Sequence, residues 1–102
     1  MSNILNMKQY VVIAHDGKDE KALDRRAETR PAHLAGAKAL KAKNQFVTGG
    51  AILDEAGNMR GSVMILQFET EEAFKEWFSN EPYITQGVWK SIEVKPFRVA
   101  EV

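Results

Sequence analysis

Hydrophobic residues along this chain change period from runs to helical spacing and back, and the changes divide it into elements. Tyr10, Val11, Val12, Ile13 and Ala14 form a continuous apolar run closed by His15-Asp16-Gly17, the pattern of a buried strand that ends in a turn. Residues 19–29 are highly charged but set Leu23 and Ala27 four apart, which predicts a helix with a thin apolar stripe. Pro31 lacks an N–H and would clash with the turn before it, so it suits the first turn of a new helix. That helix is expected to run to about residue 43, with Leu34, Ala37 and Leu40 inward. Lys38, Lys41 and Lys43 point outward and gather at its end, where the helix dipole favours positive charge.

Residues 45–53 predict a second strand, with Gly49-Gly50 in its middle, and residues 54–58 a turn. Residues 62–68 hold Val63, Met64, Ile65 and Leu66, the most hydrophobic strand of the set. Thr70 can cap a second helix whose first turn carries Glu71 and Glu72. Ala73, Phe74, Trp77 and Phe78 recur at helical spacing and give that helix an aromatic face toward the sheet. Glu81-Pro82-Tyr83 breaks it. The last strand spans residues 88–99, and Pro96 assigns it to an edge because a central strand could not spare the donor.

The order β-α-β-β-α-β is that of a ferredoxin-like α+β unit, a four-stranded antiparallel sheet with its helices on one face. Residues 7–99 form a single domain in this reading, between a short leader over 1–6 and a tail over 100–102. The third strand is apolar at consecutive positions, so both of its faces call for burial, yet two helices cover only one. A second copy of the chain, packed sheet against sheet, is the simplest cover, and twofold dimers are the commonest oligomers.

Composition narrows the chemistry. A chain of 102 residues builds one core but cannot by itself enclose a deep site. Fourteen basic against fourteen acidic residues leave no net charge, and with it no electrostatic case for nucleic acid or an anionic membrane as partner. The absence of Cys excludes disulfides, thiolate metal sites and a cysteine nucleophile. There is no metal-ligand spacing, phosphate loop or Ser-His-Asp cue, so the expectation is no metal and no cofactor. Residues 1–6 do not resemble a secretory leader, and no apolar run approaches the ~20 residues of a membrane span. A soluble cytoplasmic protein is expected.

Two histidines are the candidates for acid–base work near neutral pH. If the helix continues in register across Pro31, then Arg26, Arg30 and His33 stand at i, i+4 and i+7 and share a face. With a helix N-terminus beside it, that face would attract a carboxylate, phosphate or enolate. The other reading is a solvated polar face. His15 either lines the same cleft or is simply exposed in its turn. Gly49 and Gly50 mark either a bulge or a place where a ligand lies against the main chain. Ser62, after Gly61, either donates into the cleft or ends the turn. Glu81 is placed to pair with His33 and orient it, as a buried acid fixes a catalytic imidazole.

Arg30-Pro31-Ala32-His33-Leu34, Gly49-Gly50, Gly61-Ser62, Glu81-Pro82-Tyr83 and Lys95-Pro96-Phe97, in that order, resemble the YCII-related (YciI-like) family of small bacterial proteins. The resemblance implies a ferredoxin-like subunit that pairs through its sheets into a dimeric α+β barrel. It also implies a His–acid active site, with a branch of the family acting as a dehydrochlorinase. The family histidine falls on His33, the arginine on Arg30, and the family acid, usually Asp, on Glu81. The expected function is a cofactor-independent enzyme for a small oxygenated or aromatic substrate. His33 would remove a proton, Glu81 would orient it, and Arg30, Arg26, His15, Gly49, Gly50, Ser62 and Tyr83 would line the substrate. The alternative is a non-catalytic dimer that binds a small anionic metabolite or serves as an accessory protein.

Overall fold

Side-chain alternation on two neighbouring strands sets the layers of the molecule, which the computed structural model describes over residues 6–102. Residues 1–5 of the expected leader lie outside the described residues. The elements are β1 (Lys8–Asp16), α1 (Ala22–Ala42), β2 (Phe46–Leu53), β3 (Met59–Phe68), α2 (Glu71–Asn80), α3 (Pro82–Thr85) and β4 (Trp89–Phe97). The strands form one antiparallel sheet in the order β2-β3-β1-β4. This is the ferredoxin-like topology, with the one-turn α3 added before an edge strand that holds Pro96 where it was expected.

Successive side chains of a strand point to opposite faces. Val12, Ala14 and Asp16 of β1 and Ser62, Met64, Leu66 and Phe68 of β3 are all buried beneath the helices. Leu40 of α1, Phe74 of α2, Tyr83 of α3 and Trp89 complete the core on that side. The alternate residues Val11, Ile13, Val63 and Ile65 pair across β1 and β3 on the opposite face and are only half-buried. Thr70 caps α2 as expected, its Oγ1 accepting the Ala73 N–H at 3.1 Å.

The helix around Pro31 departs from expectation. Where two segments were foreseen, α1 is one helix of 21 residues with Pro31 inside it. An interior proline costs a helix ~3 kcal/mol, and here buried anchors on both sides, Arg26 before it and His33 after it, hold the two halves in line. α1 therefore presents no N-terminus of its own beside His33. The buried face also differs: Leu23 and Leu34 are 36% and 45% exposed, while Ala22, Arg26, Thr29, His33 and Leu40 point inward. The helix buries polar groups along much of its length because polar partners wait beneath it; Leu40 is buried as expected, while Leu23 and Leu34 are not.

Two glycines answer to close approach of the backbone. A Cβ on Gly49 would come within 2.8 Å of the Val63 carbonyl oxygen, and one on Gly61 would run into the carbonyl of Ala14. Gly61 thereby lets β3 lie tight against β1 and fixes the position of Ser62, its neighbour.

Candidate active site

Arg26 and His33 are seven residues apart on α1, two turns or about 10.5 Å along the axis, and both face the sheet. Each meets its own carboxylate. The junction of α2 and α3 supplies Glu81, which holds extended backbone geometry and caps α3 by accepting the Tyr83 N–H at 3.1 Å. The same oxygen, Oε1, lies 2.5 Å from His33 Nδ1. A carboxylate oxygen can accept from the Tyr83 N–H and, in the Nδ1–H tautomer, from His33 as well, an arrangement that directs Nε2 away from Glu81. Glu81 is 3% and His33 9% exposed, which removes most of the water that would compete for this contact.

The second carboxylate is Asp16, at the end of β1. Arg26 Nη1 donates to both of its oxygens, at 2.9 and 3.0 Å. Arg26 Nη2 donates to Ser62 Oγ at 2.9 Å, and the Trp89 indole N–H donates to the same hydroxyl oxygen at 3.2 Å. All four side chains are buried. Only Nε of the guanidinium is left without an acceptor.

Tyr83 joins the two clusters. Its ring stacks on His33 at 4.0 Å and 14°, and the Arg26 guanidinium lies 4.7 Å from the ring centroid. Trp89 meets the His33 ring edge-on at 6.0 Å. Burial pushes the Tyr83 phenol above its ordinary pKa, and the positive charges of Arg26 and Arg30 pull the other way. The hydroxyl therefore stays protonated, although it has no hydrogen-bond partner among the described residues.

Of the residues singled out in the sequence, His33, Glu81, Tyr83, Arg26 and Ser62 come together. Arg30 is exposed on α1 but close enough for its charge to act on the Tyr83 hydroxyl. His15 is exposed, and its place in the β1 alternation puts it on the face away from Asp16, beside Gly61 and Ser91. Gly49 and Gly50 sit on the edge strand β2 opposite Met64 and Val63. The sequence reading missed Asp16 and Trp89. Parity held the clue to Asp16, because a carboxylate two residues beyond Ala14 on an inward-facing register needs a buried cation.

Two of the grooves among the described residues are large enough for a small molecule. One, of about 360 Å³, runs between α1 and α2 past Gly36, Leu40 and Trp77 and reaches Glu81 and Pro82. The other, of about 1270 Å³, lies at the far end of the sheet by Tyr10, Phe46 and Phe97, and none of the candidate residues lines it. Of these two, the smaller groove is the one that Glu81 lines.

The family model of the YCII-related domain matches residues 8–98. The chain belongs to the YCII-related family. An uncharacterized protein of Haemophilus influenzae is 39% identical over 95 residues, which cover 87% of this chain and 95% of that relative. Among solved structures, 5-chloro-2-hydroxyhydroquinone dehydrochlorinase from Burkholderia phenoliruptrix, in complex with 2,5-dihydroxybenzoquinone, superposes with a TM-score of 0.76 at 23% identity. It covers 90% of this chain and 95% of its own. A dimeric protein of ferredoxin-like fold from Bacteroides fragilis gives a TM-score of 0.57 at 11% identity, over 95% of this chain and all of its own. At these identities the structural likenesses establish the fold, one shared with small-molecule enzymes and with dimeric proteins. Among the described residues no helix is long and apolar enough to cross a membrane.

Proposed function

We propose that this member of the family is a small-molecule lyase or isomerase that works by proton transfer without a cofactor. His33 Nε2 takes a proton from an acidic C–H or O–H of the substrate. Glu81 holds the imidazole by Nδ1 and stabilises the imidazolium that forms. Arg30, exposed beside Tyr83, meets the developing oxyanion. Arg26, Ser62 and Tyr83 form the wall behind the imidazole, and His15, Gly49 and Gly50 stand outside this arrangement. The observation that carries the reading is the doubly engaged Glu81 Oε1, which fixes one tautomer of a buried histidine. The reaction of the dehydrochlorinase neighbour is the first to try.

A test independent of substrate is the ¹⁵N spectrum of the His33 ring, with Nδ1–H as the expected tautomer; an Nε2–H form would overturn the proposal. The second test is chloride release from 5-chloro-2-hydroxyhydroquinone by the wild-type protein and by His33→Asn. Turnover that survives the substitution would remove His33 as the base, and saturable binding with no turnover of any ring in the series would identify a binding protein instead.

We further propose a cytoplasmic homodimer that buries Val11, Ile13, Val63 and Ile65 of two sheets against each other. The half-exposed apolar face and the dimeric description of the Bacteroides neighbour support it. Ile13→Glu should turn a sedimenting dimer into a monomer; an unchanged dimer would place the interface elsewhere.

A further inference from the structure

Gly36 lies inside α1, where glycine is the poorest helix former after proline, and the fold gives it no packing role. Its φ is not positive, and a Cβ built on it meets no atom within 4 Å. No turn and no close approach of a neighbour requires it. What fills the space over Gly36 is the 360 Å³ groove. Across that groove stand Trp77 and the small Ala73 of α2, with Leu40 and Phe68 as further apolar wall. A cavity of this size takes a small organic molecule.

Glu81 sets the polar end. It lines the groove, and its Oε1 is engaged by His33 and Tyr83, which leaves Oε2 without a hydrogen-bond partner among the described residues. A buried carboxylate with a free lone-pair oxygen repels an anion and accepts from a neutral O–H. Lys43 and Glu76, of opposite sign, also line the groove and offset each other, so no positive charge remains there to draw an anion past Glu81. We propose that the groove binds the ring of a small uncharged hydroxylated aromatic compound, with one hydroxyl donating to Glu81 and Gly36 setting the width of the slot. The proposal rests on and deepens the proton-transfer reading, because it names the substrate class and the side from which the substrate meets Glu81, but the binding itself does not need turnover.

The experiment is a ¹H–¹⁵N NMR titration of the full chain with hydroquinone as the probe and benzoate as its anionic counterpart. Hydroquinone should give saturable shifts at the Gly36 amide and the Trp77 indole, and benzoate should not. Gly36→Leu points a good helix former into open space, so the variant should melt no lower than the parent while losing at least about tenfold in affinity. Gly36→Ala should raise the melting temperature by about 5 °C with a smaller loss of binding. Glu81→Gln should weaken hydroquinone while leaving the helix intact. Shifts confined to the surroundings of Arg30, or binding unaffected by Gly36→Leu, would overturn the groove and leave the proton-transfer reading standing. Saturable groove binding lost in Gly36→Leu, with no turnover of any ring of this class, would uphold the groove and overturn the catalytic reading. The absence of saturable shifts at millimolar hydroquinone would overturn the groove outright.

Discussion

Two turns apart on one helix, Arg26 and His33 each meet a buried carboxylate, and the two pairs do different things. The Arg26 cluster is closed: Asp16 takes one terminal nitrogen twice, Ser62 takes the other, and Trp89 fills the remaining approach to Ser62. Every proton in it belongs to a group that does not release one near neutral pH. The His33 cluster is similarly buried and has two bonds fewer, and its nitrogen-bearing member is an imidazole, a group that titrates near neutrality in water. The lesson is that burial and an acid partner do not by themselves make a reactive pair. A lock and a dyad differ in whether a proton has somewhere to go: Arg26 and Asp16 tie the helix to the sheet, while the proposed function asks the second ring nitrogen of His33 to take a proton.

The sharpest way to break this comparison is to unbalance the lock. Asp16→Ala leaves a buried guanidinium uncompensated, which should cost about 3–5 kcal/mol in urea unfolding. Replacing both partners with apolar residues, Asp16→Leu with Arg26→Met, should recover most of that loss, because the penalty lies in the orphaned charge. A mild Asp16→Ala would mean that Arg26 is not structural, and the distinction between the two clusters would fall.

The dyad should fail differently. Glu81→Gln keeps an oxygen for the Tyr83 N–H and for His33 but removes the charge that steadies an imidazolium, so turnover should drop by about 100-fold or more while the melting temperature changes little. Equal losses of stability in Glu81→Gln and Asp16→Ala would make both pairs structural.

Tyr83 tests the link between them, with a smaller effect. Its ring is 1% exposed and touches both clusters, yet its hydroxyl bonds to nothing. Removing a buried, unsatisfied hydroxyl is neutral or stabilising by up to about 1 kcal/mol, so Tyr83→Phe should unfold at the same or higher urea concentration. A marked destabilisation would reveal a partner for that oxygen.

Much of the fold and part of the site are legible in the sequence. Strand runs, the Thr70 cap, Pro96 on an edge and the pairing of His33 with Glu81 followed from period, cap chemistry and resemblance. What escaped was the inward face of α1. Apolar spacing located Leu40 correctly but also Leu23 and Leu34, and the helix instead turns Arg26, Thr29 and His33 to the sheet, because hydrogen-bond partners on other elements outweigh the burial of two leucines. Nothing local to α1 carries that information, since Asp16, Ser62 and Glu81 come from three separate segments. The cationic face foreseen at Arg26, Arg30 and His33 dissolved for the same reason: Asp16 neutralises Arg26, and only Arg30 remains on the outside.

Arg25, the immediate neighbour of Arg26, supplies the control with the smallest effect. It pairs with Asp19 at 2.7 Å, but the two side chains are 26% and 51% exposed. The Arg25 hydrogen bond, with backbone N–H groups and its positive charge adding to it, pulls the Asp19 carboxyl from 3.8 to about 2. A carboxyl lowered on folding contributes stability that is fully present above its unfolded value and is lost as pH falls toward the folded one, so this contribution should fade between about pH 4 and pH 2. Asp19→Asn should therefore lower the melting temperature slightly at pH 7 and not at all at pH 1.5, because an exposed pair contributes little and water screens it. Asp16→Asn, measured beside it, should be far more costly at pH 7. If the two substitutions gave similar losses at that pH, burial would not be what separates Arg26 from Arg25, and the lock would be no more than another surface ion pair.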